Sequence, residues 1–265
     1  MAKLVEVRPD AAVLDLEDGI SRGELAAARA RVAAATASGG PVPLAVRTHP
    51  VSSEEFAADL EACGPGLAAL VIPKVSAPEE VAAAGEALVA RGLKGTRLVP
   101  MIESAAGLMR AHDILTAHAS VSGVALGAED LAADLGLPPA LPGSSAALLE
   151  GRRAALAAAR AALVAAASAA RVAIRVDSPY LSLLDVPGTK AEALAGRGAG
   201  FTGKFALHPA QVPAIAEAFR PGPEEVEWAR AVLAKAGRGV QRAGDRMVDE
   251  AVVRQARVVL SDEGS

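Results

Sequence analysis

Short, almost uninterrupted apolar runs recur along this chain, each followed by a longer stretch rich in Ala, Leu, Glu and Arg. The runs fall at 12–16, 43–47, 69–72, 98–102, 121–126, 172–176 and 201–207. Strands covered on both faces read as continuous apolar segments, and their alternation with helical stretches predicts repeated βα units around a parallel sheet. Helices are predicted over 22–36, 78–91, 105–117 and 144–170. Ser21, Pro78 with Glu79 and Glu80, and Pro209 supply start signals, while 38–40 and 64–66 supply glycine stops. Past the seventh run come three helical pieces, 209–219, 223–235 and 248–260, with a charged turn from Gly237 to Arg246 before the last. No Gly-x-Gly-x-x-Gly loop follows the first strand, which argues against an open dinucleotide-binding sheet. The expected architecture is therefore α/β, a (β/α)8 TIM barrel missing its first unit, with a barrel domain over 1–220 and a helical C-terminal extension over 221–265.

Composition narrows the possible functions. At 265 residues the chain is the size of one barrel, and 52% hydrophobic residues against 22% charged exclude a disordered chain. Aromatic residues make up only 2% and the formal net charge is −4, so neither stacking platforms nor a basic footprint for nucleic acid exists. The longest apolar stretch, 154–170, is mostly alanine and contains Arg160, which predicts a packed helix and no membrane span. Cys63 is the sole cysteine, so no internal disulfide can form. With Lys3, Glu6, Arg8 and Asp10 near the start there is no apolar signal core, and the expected location is cytoplasmic.

Charged residues mark the ends of five successive predicted strands: Asp15, Glu17 and Asp18; Arg47; Lys74; Glu103; and Glu129 with Asp130. In parallel α/β folds these C-terminal ends open on the site, so the charges are expected to converge on one mouth. Glu103 and Asp130 are candidate metal ligands, because two carboxylates completed by waters and substrate oxygens suit Mg2+. Arg47 offers a planar fork for a substrate carboxylate or a developing oxyanion. Asp15, Glu17 and Asp18 could hold Arg47 or metal-bound waters. Lys74 suits either a carrier phosphate or an ion pair inside the mouth, and Asp177 either the pocket or a turn. Lys204 is expected to neutralise barrel carboxylates, His208 to cap a helix, and Cys63 to be a small buried apolar residue. His49 reads as a loop residue, and Arg152, Arg153, Arg160 and Arg171 as the solvated side of an alanine-rich helix.

In this order and spacing, the segments Leu14-Asp15-Leu16-Glu17-Asp18, Ala45-Val46-Arg47, Ile72-Pro73-Lys74-Val75, Pro100-Met101-Ile102-Glu103-Ser104, Leu126-Gly127-Ala128-Glu129-Asp130-Leu131 and Leu207-His208-Pro209-Ala210-Gln211-Val212, with Met247-Val248-Asp249 near the C-terminus, resemble the citrate lyase β-subunit-like family of the HpcH/HpaI aldolase/citrate lyase superfamily. Two features depart from it: the family's opening Arg-Ser-x-Leu-Phe-x-Pro-Gly strand and loop has no counterpart here, and Thr48-His49 follows Arg47 where the family has an asparagine.

The resemblance implies a Mg2+-dependent carbon–carbon lyase, a homotrimer or hexamer. Its substrate would be a β-hydroxyacyl thioester of citryl, malyl or citramalyl type, carried on coenzyme A or an acyl carrier protein and split into an acyl thioester and an oxo acid such as oxaloacetate, glyoxylate or pyruvate. It further implies that Glu103 and Asp130 bind the metal, that Arg47 holds the oxo-acid portion, and that Asp249 is an acid/base in a neighbouring subunit's site. Lys74 would add to substrate binding. The alternatives are a Mg2+-dependent aldolase acting on free hydroxy-oxo acids, or a non-catalytic oxo-acid-binding partner subunit.

Overall fold

The computed structural model describes residues 2–141, 143–236, 241–243 and 246–262. After helix α1 (Ala2–Val7), seven parallel strands pair in chain order: β1 (Ala12–Asp15), β2 (Leu44–Arg47), β3 (Ala69–Ile72), β4 (Arg97–Ile102), β5 (Gly123–Leu126), β6 (Ile174–Asp177) and β7 (Gly203–Lys204). The covering helices are α2 (Leu25–Thr36), α3 (Phe56–Glu61), α4 (Pro78–Ala90), α5 (Ala105–Met109), α6 (Ala111–Thr116), α7 (Ala128–Asp134), α8 (Ala146–Ala169), α9 (Val186–Ala199) and α10 (Val212–Phe219). The result is a (β/α) barrel of seven strands, open between β1 and β7, as the strand count predicts.

Side chains alternate across the strands. Ala45, Val71, Val99, Met101 and Ala125 fill the inside, whereas Val46, Leu70, Ile72, Ile102 and Leu126 face the helices. Where an eighth strand would close the ring there is an apolar cleft of about 930 Å³, walled by Val13, Val176 and Phe205 from the strands and by Ile215 and Phe219 from α10.

Two expectations shift. The helix predicted over 105–117 is two helices meeting at Arg110, whose N–H reaches back to the carbonyls of Ala106 and Gly107. Gly107 lies so close to the Val75 carbonyl that a Cβ would collide with it, while α6 buries Ala111, Ile114 and Leu115, and the chain changes direction to satisfy both contacts. The helix predicted from Val248 starts later. After α11 (Pro223–Leu233) come the antiparallel strands β8 (Gln241–Ala243) and β9 (Arg246–Val248), then α12 (Glu250–Asp262). Asp249 stops the strand because its Oδ1 accepts the Val252 N–H and caps α12. Of the expected charged turn, 237–240 and 244–245 lie outside the described residues. Ala229, Val232, Val248, Val253 and Ala256 give this C-terminal unit a small core of its own. No helix among the described residues is long and apolar enough to cross a membrane.

A buried ionic group ties sheet to helices. Asp177, at the end of β6 and fully buried, accepts from Arg160 Nε and from Lys204 Nζ, each at 2.9 Å. Lys204 also donates to the Ser178 carbonyl at 2.6 Å, and Arg160 to Glu192 at 3.2 Å. Asp177 is thus a structural tie, Lys204 neutralises it as expected, and Arg160 is turned inward and away from solvent. A Cβ on Gly196 would run into this carboxylate, so α9 can approach it only with glycine there. Asp177→Ala leaves Lys204 buried without its counter-charge, and urea unfolding is expected to show a loss of about 3–5 kcal/mol; Asp177→Asn should lose less, because it still accepts a hydrogen bond.

Candidate active site

The strand register sets the first half of the site. Asp15 and Arg47 are direct neighbours at the ends of β1 and β2. The guanidinium meets this carboxylate in a fork, Nε to Oδ1 at 2.8 Å and Nη2 to Oδ2 at 2.6 Å, while Nη1 lies 3.2 Å from Glu17 Oε2. Asp15 is held in turn by the N–H groups of Glu17 and Gly19, and Gly19 lies too close to it for a side chain. Burial disfavours the Asp15 charge, but Arg47 and the backbone donors outweigh it and hold this carboxyl below its usual range. The Asp15 hydrogen bond holds Arg47 above its own ordinary range. Two of the five guanidinium hydrogens are committed to Asp15, leaving the others, with Nη1 beside Glu17, for a substrate oxyanion.

Lys74 stands at the end of β3 in the left-handed region, φ 54°. Its Nζ lies 2.9 Å from Glu17 Oε1 and 3.5 Å from Asp18 Oδ1, and the Glu17 contact raises its pKa. Of the two readings of Lys74, the ion pair inside the mouth is the one the fold displays. Its backbone N–H donates to Glu103 Oε1, so one residue touches both halves of the site.

Glu103 follows β4, where Met101 and Ile102 pair with Ala125 and Leu126 of β5, so the next neighbour of Glu103 is Gly127. Any side chain on Gly127 would overlap Glu103. Asp130, in the first turn of α7, stands on the open side of the buried Glu103. Burial, with the charges of Asp130 and Glu17 added, pushes Glu103 up to about 7 against the opposing Lys74 N–H. A carboxyl kept protonated by its neighbours is a place that lacks positive charge. Glu103 and Asp130 therefore fit a divalent cation, and no group of three or more His, Cys, Asp or Glu side chains among the described residues forms a closed metal cage. Two carboxylates with remaining positions for water and substrate suit Mg2+ better than a structural zinc.

Other candidates lie apart from this mouth chemistry. His49 is held by Asp59, whose Oδ2 takes both its N–H and Nδ1 at 2.7 Å, and Arg29 secures the other oxygen of Asp59. His208 Nδ1 accepts the Ala210 N–H as a cap, and Cys63 is buried, its thiol pushed up to about 12 by burial. Asp249 sits at the start of α12 in the C-terminal unit. Near the carboxylate pair, Gly127 and Asp134, which accepts the Ala105 N–H at 2.7 Å, were not singled out by sequence reasoning, and Arg152, expected on the solvated side of its helix, has a buried side chain. Only Gly127 had a signal, a glycine directly after an apolar run and before two acids.

A proton binds folded Glu103 more tightly than an ordinary glutamate, whose pKa is near 4.5. Its contribution to stability is therefore neutral below about 4.5 and turns increasingly unfavourable as pH rises toward 7. Urea unfolding in EDTA across this window should show Glu103→Gln gaining stability relative to the parent as pH rises; a pH-independent difference would contradict the assignment. Gly127→Ala should weaken Mn2+ binding at least tenfold by displacing Glu103, which isothermal calorimetry would read.

The model of the HpcH/HpaI aldolase/citrate lyase family matches residues 1–209. A citrate lyase subunit beta-like protein of Mycobacterium tuberculosis is 32% identical over 258 residues, covering 96% of this chain and 88% of the relative. An L-malyl-CoA/beta-methylmalyl-CoA lyase of Cereibacter sphaeroides is 32% identical over 281 residues, covering 97% and 88%. Among solved structures, M. tuberculosis CitE in complex with magnesium, acetoacetate and coenzyme A superposes with a TM-score of 0.79 at 30% identity, over 100% of this chain and 93% of that one. A family match across most of the chain, with relatives aligned along nearly its whole length, places this chain in the HpcH/HpaI aldolase/citrate lyase family.

Proposed function

We propose that this chain is a Mg2+-dependent carbon–carbon lyase that splits a β-hydroxyacyl thioester of malyl, citramalyl or citryl type into an acyl thioester and an oxo acid. The observation that carries this reading is one mouth holding a half-committed guanidinium, Arg47, across from an undercompensated carboxylate pair, Glu103 and Asp130. The Cereibacter malyl-CoA lyase and the magnesium and coenzyme A complex of CitE support it.

Held by Glu103 and Asp130, Mg2+ would supply Lewis-acid stabilisation to the oxygens of the hydroxy acid. In the cleavage direction the β-hydroxyl gives its proton to solvent water and the C–C bond breaks. The oxo acid gains its carbonyl, and the electron pair moves to the acyl thioester as an enolate. Arg47 binds the oxo-acid carboxylate with the hydrogens that Asp15 does not take, and the fork to Asp15 fixes the plane in which they point. Lys74, paired to Glu17 and Asp18, keeps those carboxylates off the substrate anion. The enolate carbon must then take a proton. We assign this to Asp249, delivered from the C-terminal unit of a neighbouring subunit in a trimer or hexamer, which takes a proton from water and gives it to the carbon. With its single cysteine buried, the chain fits a reducing cytoplasm.

Incubation with malyl-, citramalyl- and citryl-CoA and Mg2+ should release glyoxylate, pyruvate or oxaloacetate, read by coupled dehydrogenase assay or mass spectrometry. EDTA or Glu103→Ala should abolish release, and Arg47→Lys should lower kcat/KM about a hundredfold or more. Failure to form any oxo acid across the panel, with carrier-protein thioesters included, would sink the proposal; cleavage of free 4-hydroxy-2-oxo acids alone would turn it toward an aldolase.

A further inference from the structure

Arg152 lies in the second turn of α8, the helix that the sequence pattern gives a solvated basic side. Its side chain is only 7% exposed. An alanine-rich helix could place alanine there without desolvating a charge, so a guanidinium at this depth requires specific acceptors. It has two: Nη2 donates to Glu129 Oε2 at 2.7 Å and Nη1 to the Pro138 carbonyl at 3.1 Å.

Those acceptors bracket α7. Glu129 is its second residue, adjacent to Asp130, and Pro138 lies just beyond its C-terminal end. A seven-residue helix has too few internal hydrogen bonds to hold its own position, so its pitch depends on outside ties. The Arg152 fork ties both ends of α7 to α8. A further tie runs from Asp134 Oδ2 to the Ala105 N–H at 2.7 Å, linking the last residue of α7 to the segment that carries Glu103. Asp130 has no scaffold other than this helix, and its approach to Glu103 brings two like charges together.

We propose that Arg152 is a positioning residue for the metal-binding carboxylate pair, fixing α7 through Glu129 and Pro138 so that Asp130 stays beside Glu103. This rests on the reading of Glu103 and Asp130 as the groups that hold the divalent ion. Arg152 touches neither the substrate nor the ion. Its effect passes through Glu129, whose side chain is 57% exposed and can be changed without opening the core.

The test uses the full chain and Mn2+ as probe, with affinity read by electron paramagnetic resonance and thermal unfolding followed in parallel. Arg152→Gln and Glu129→Ala should each weaken Mn2+ binding tenfold or more. Glu129→Gln, which loses the charge but keeps an acceptor for the fork, should stay within threefold of the parent. The double variant Arg152→Gln/Glu129→Ala should be no weaker than the worse single variant, since Glu129→Ala removes only a tie that Arg152→Gln already removes. Should Arg152→Gln fail to fold, the contrast between Glu129→Ala and Glu129→Gln decides the matter. Lowered thermal stability with unchanged Mn2+ affinity in Arg152→Gln and Glu129→Ala would overturn the proposal and leave Arg152 a packing residue. Absence of Mn2+ binding by the parent chain would overturn the metal reading, and this inference with it.

Discussion

Two carboxyl groups brought side by side at the strand ends are the constraint around which the mouth of this barrel is organised. Glu103 is buried and Asp130 is exposed beside it. The backbone around them fixes this arrangement. Lys74 takes a left-handed conformation, rare for a side chain of its size, with its N–H donated to Glu103. Gly127 leaves the room that Glu103 fills, and α7, fastened by Glu129 and Asp134, brings Asp130 up from the other side.

The rest of the mouth obeys the same accounting of charge. Asp15, Glu17, Asp18, Glu103 and Asp130 are five acidic groups beside two basic ones, Arg47 and Lys74. The two cations are engaged with Asp15, Glu17 and Asp18, so little positive charge is left over for the metal pair. Beneath this polar rim the barrel interior is lined by Ala, Val and Met, which cannot compete as ligands. Specificity is thereby concentrated in a few strand-end residues on an aliphatic scaffold.

Stability is distributed differently from function. The Asp177–Lys204–Arg160 group points toward the helix layer and locks β6, β7, α8 and α9 together, and the C-terminal unit builds its own core around Ala229 and Val253. The barrel is left open between β1 and β7 over an apolar cleft, so closure of the ring contributes nothing to fixing the mouth in this structure. Rigidity at the site comes from local ties across the ends of β1 to β5.

The sequence by itself determined the seven strands and their order, because continuous apolar runs of strand length need cover on both faces and the intervening helices fix them as parallel. It also determined that Arg47, Lys74, Glu103 and Asp130 share one mouth, since successive parallel strands must end on the same side. Only the tertiary structure decided where the charges pair. Arg152 and Arg160 read as solvated because their helix is alanine-rich on every side, and their acceptors, Glu129 and Asp177, lie 23 and 17 positions away in the chain. The same holds for Asp177, read as either a pocket or a turn residue, whose partners come from two other elements, and for the break at Arg110, near which Gly107 packs against Val75. Periodicity records which face of an element is apolar. It cannot record which distant charge is folded against that face, as Glu129 is against Arg152 and Asp177 against Arg160.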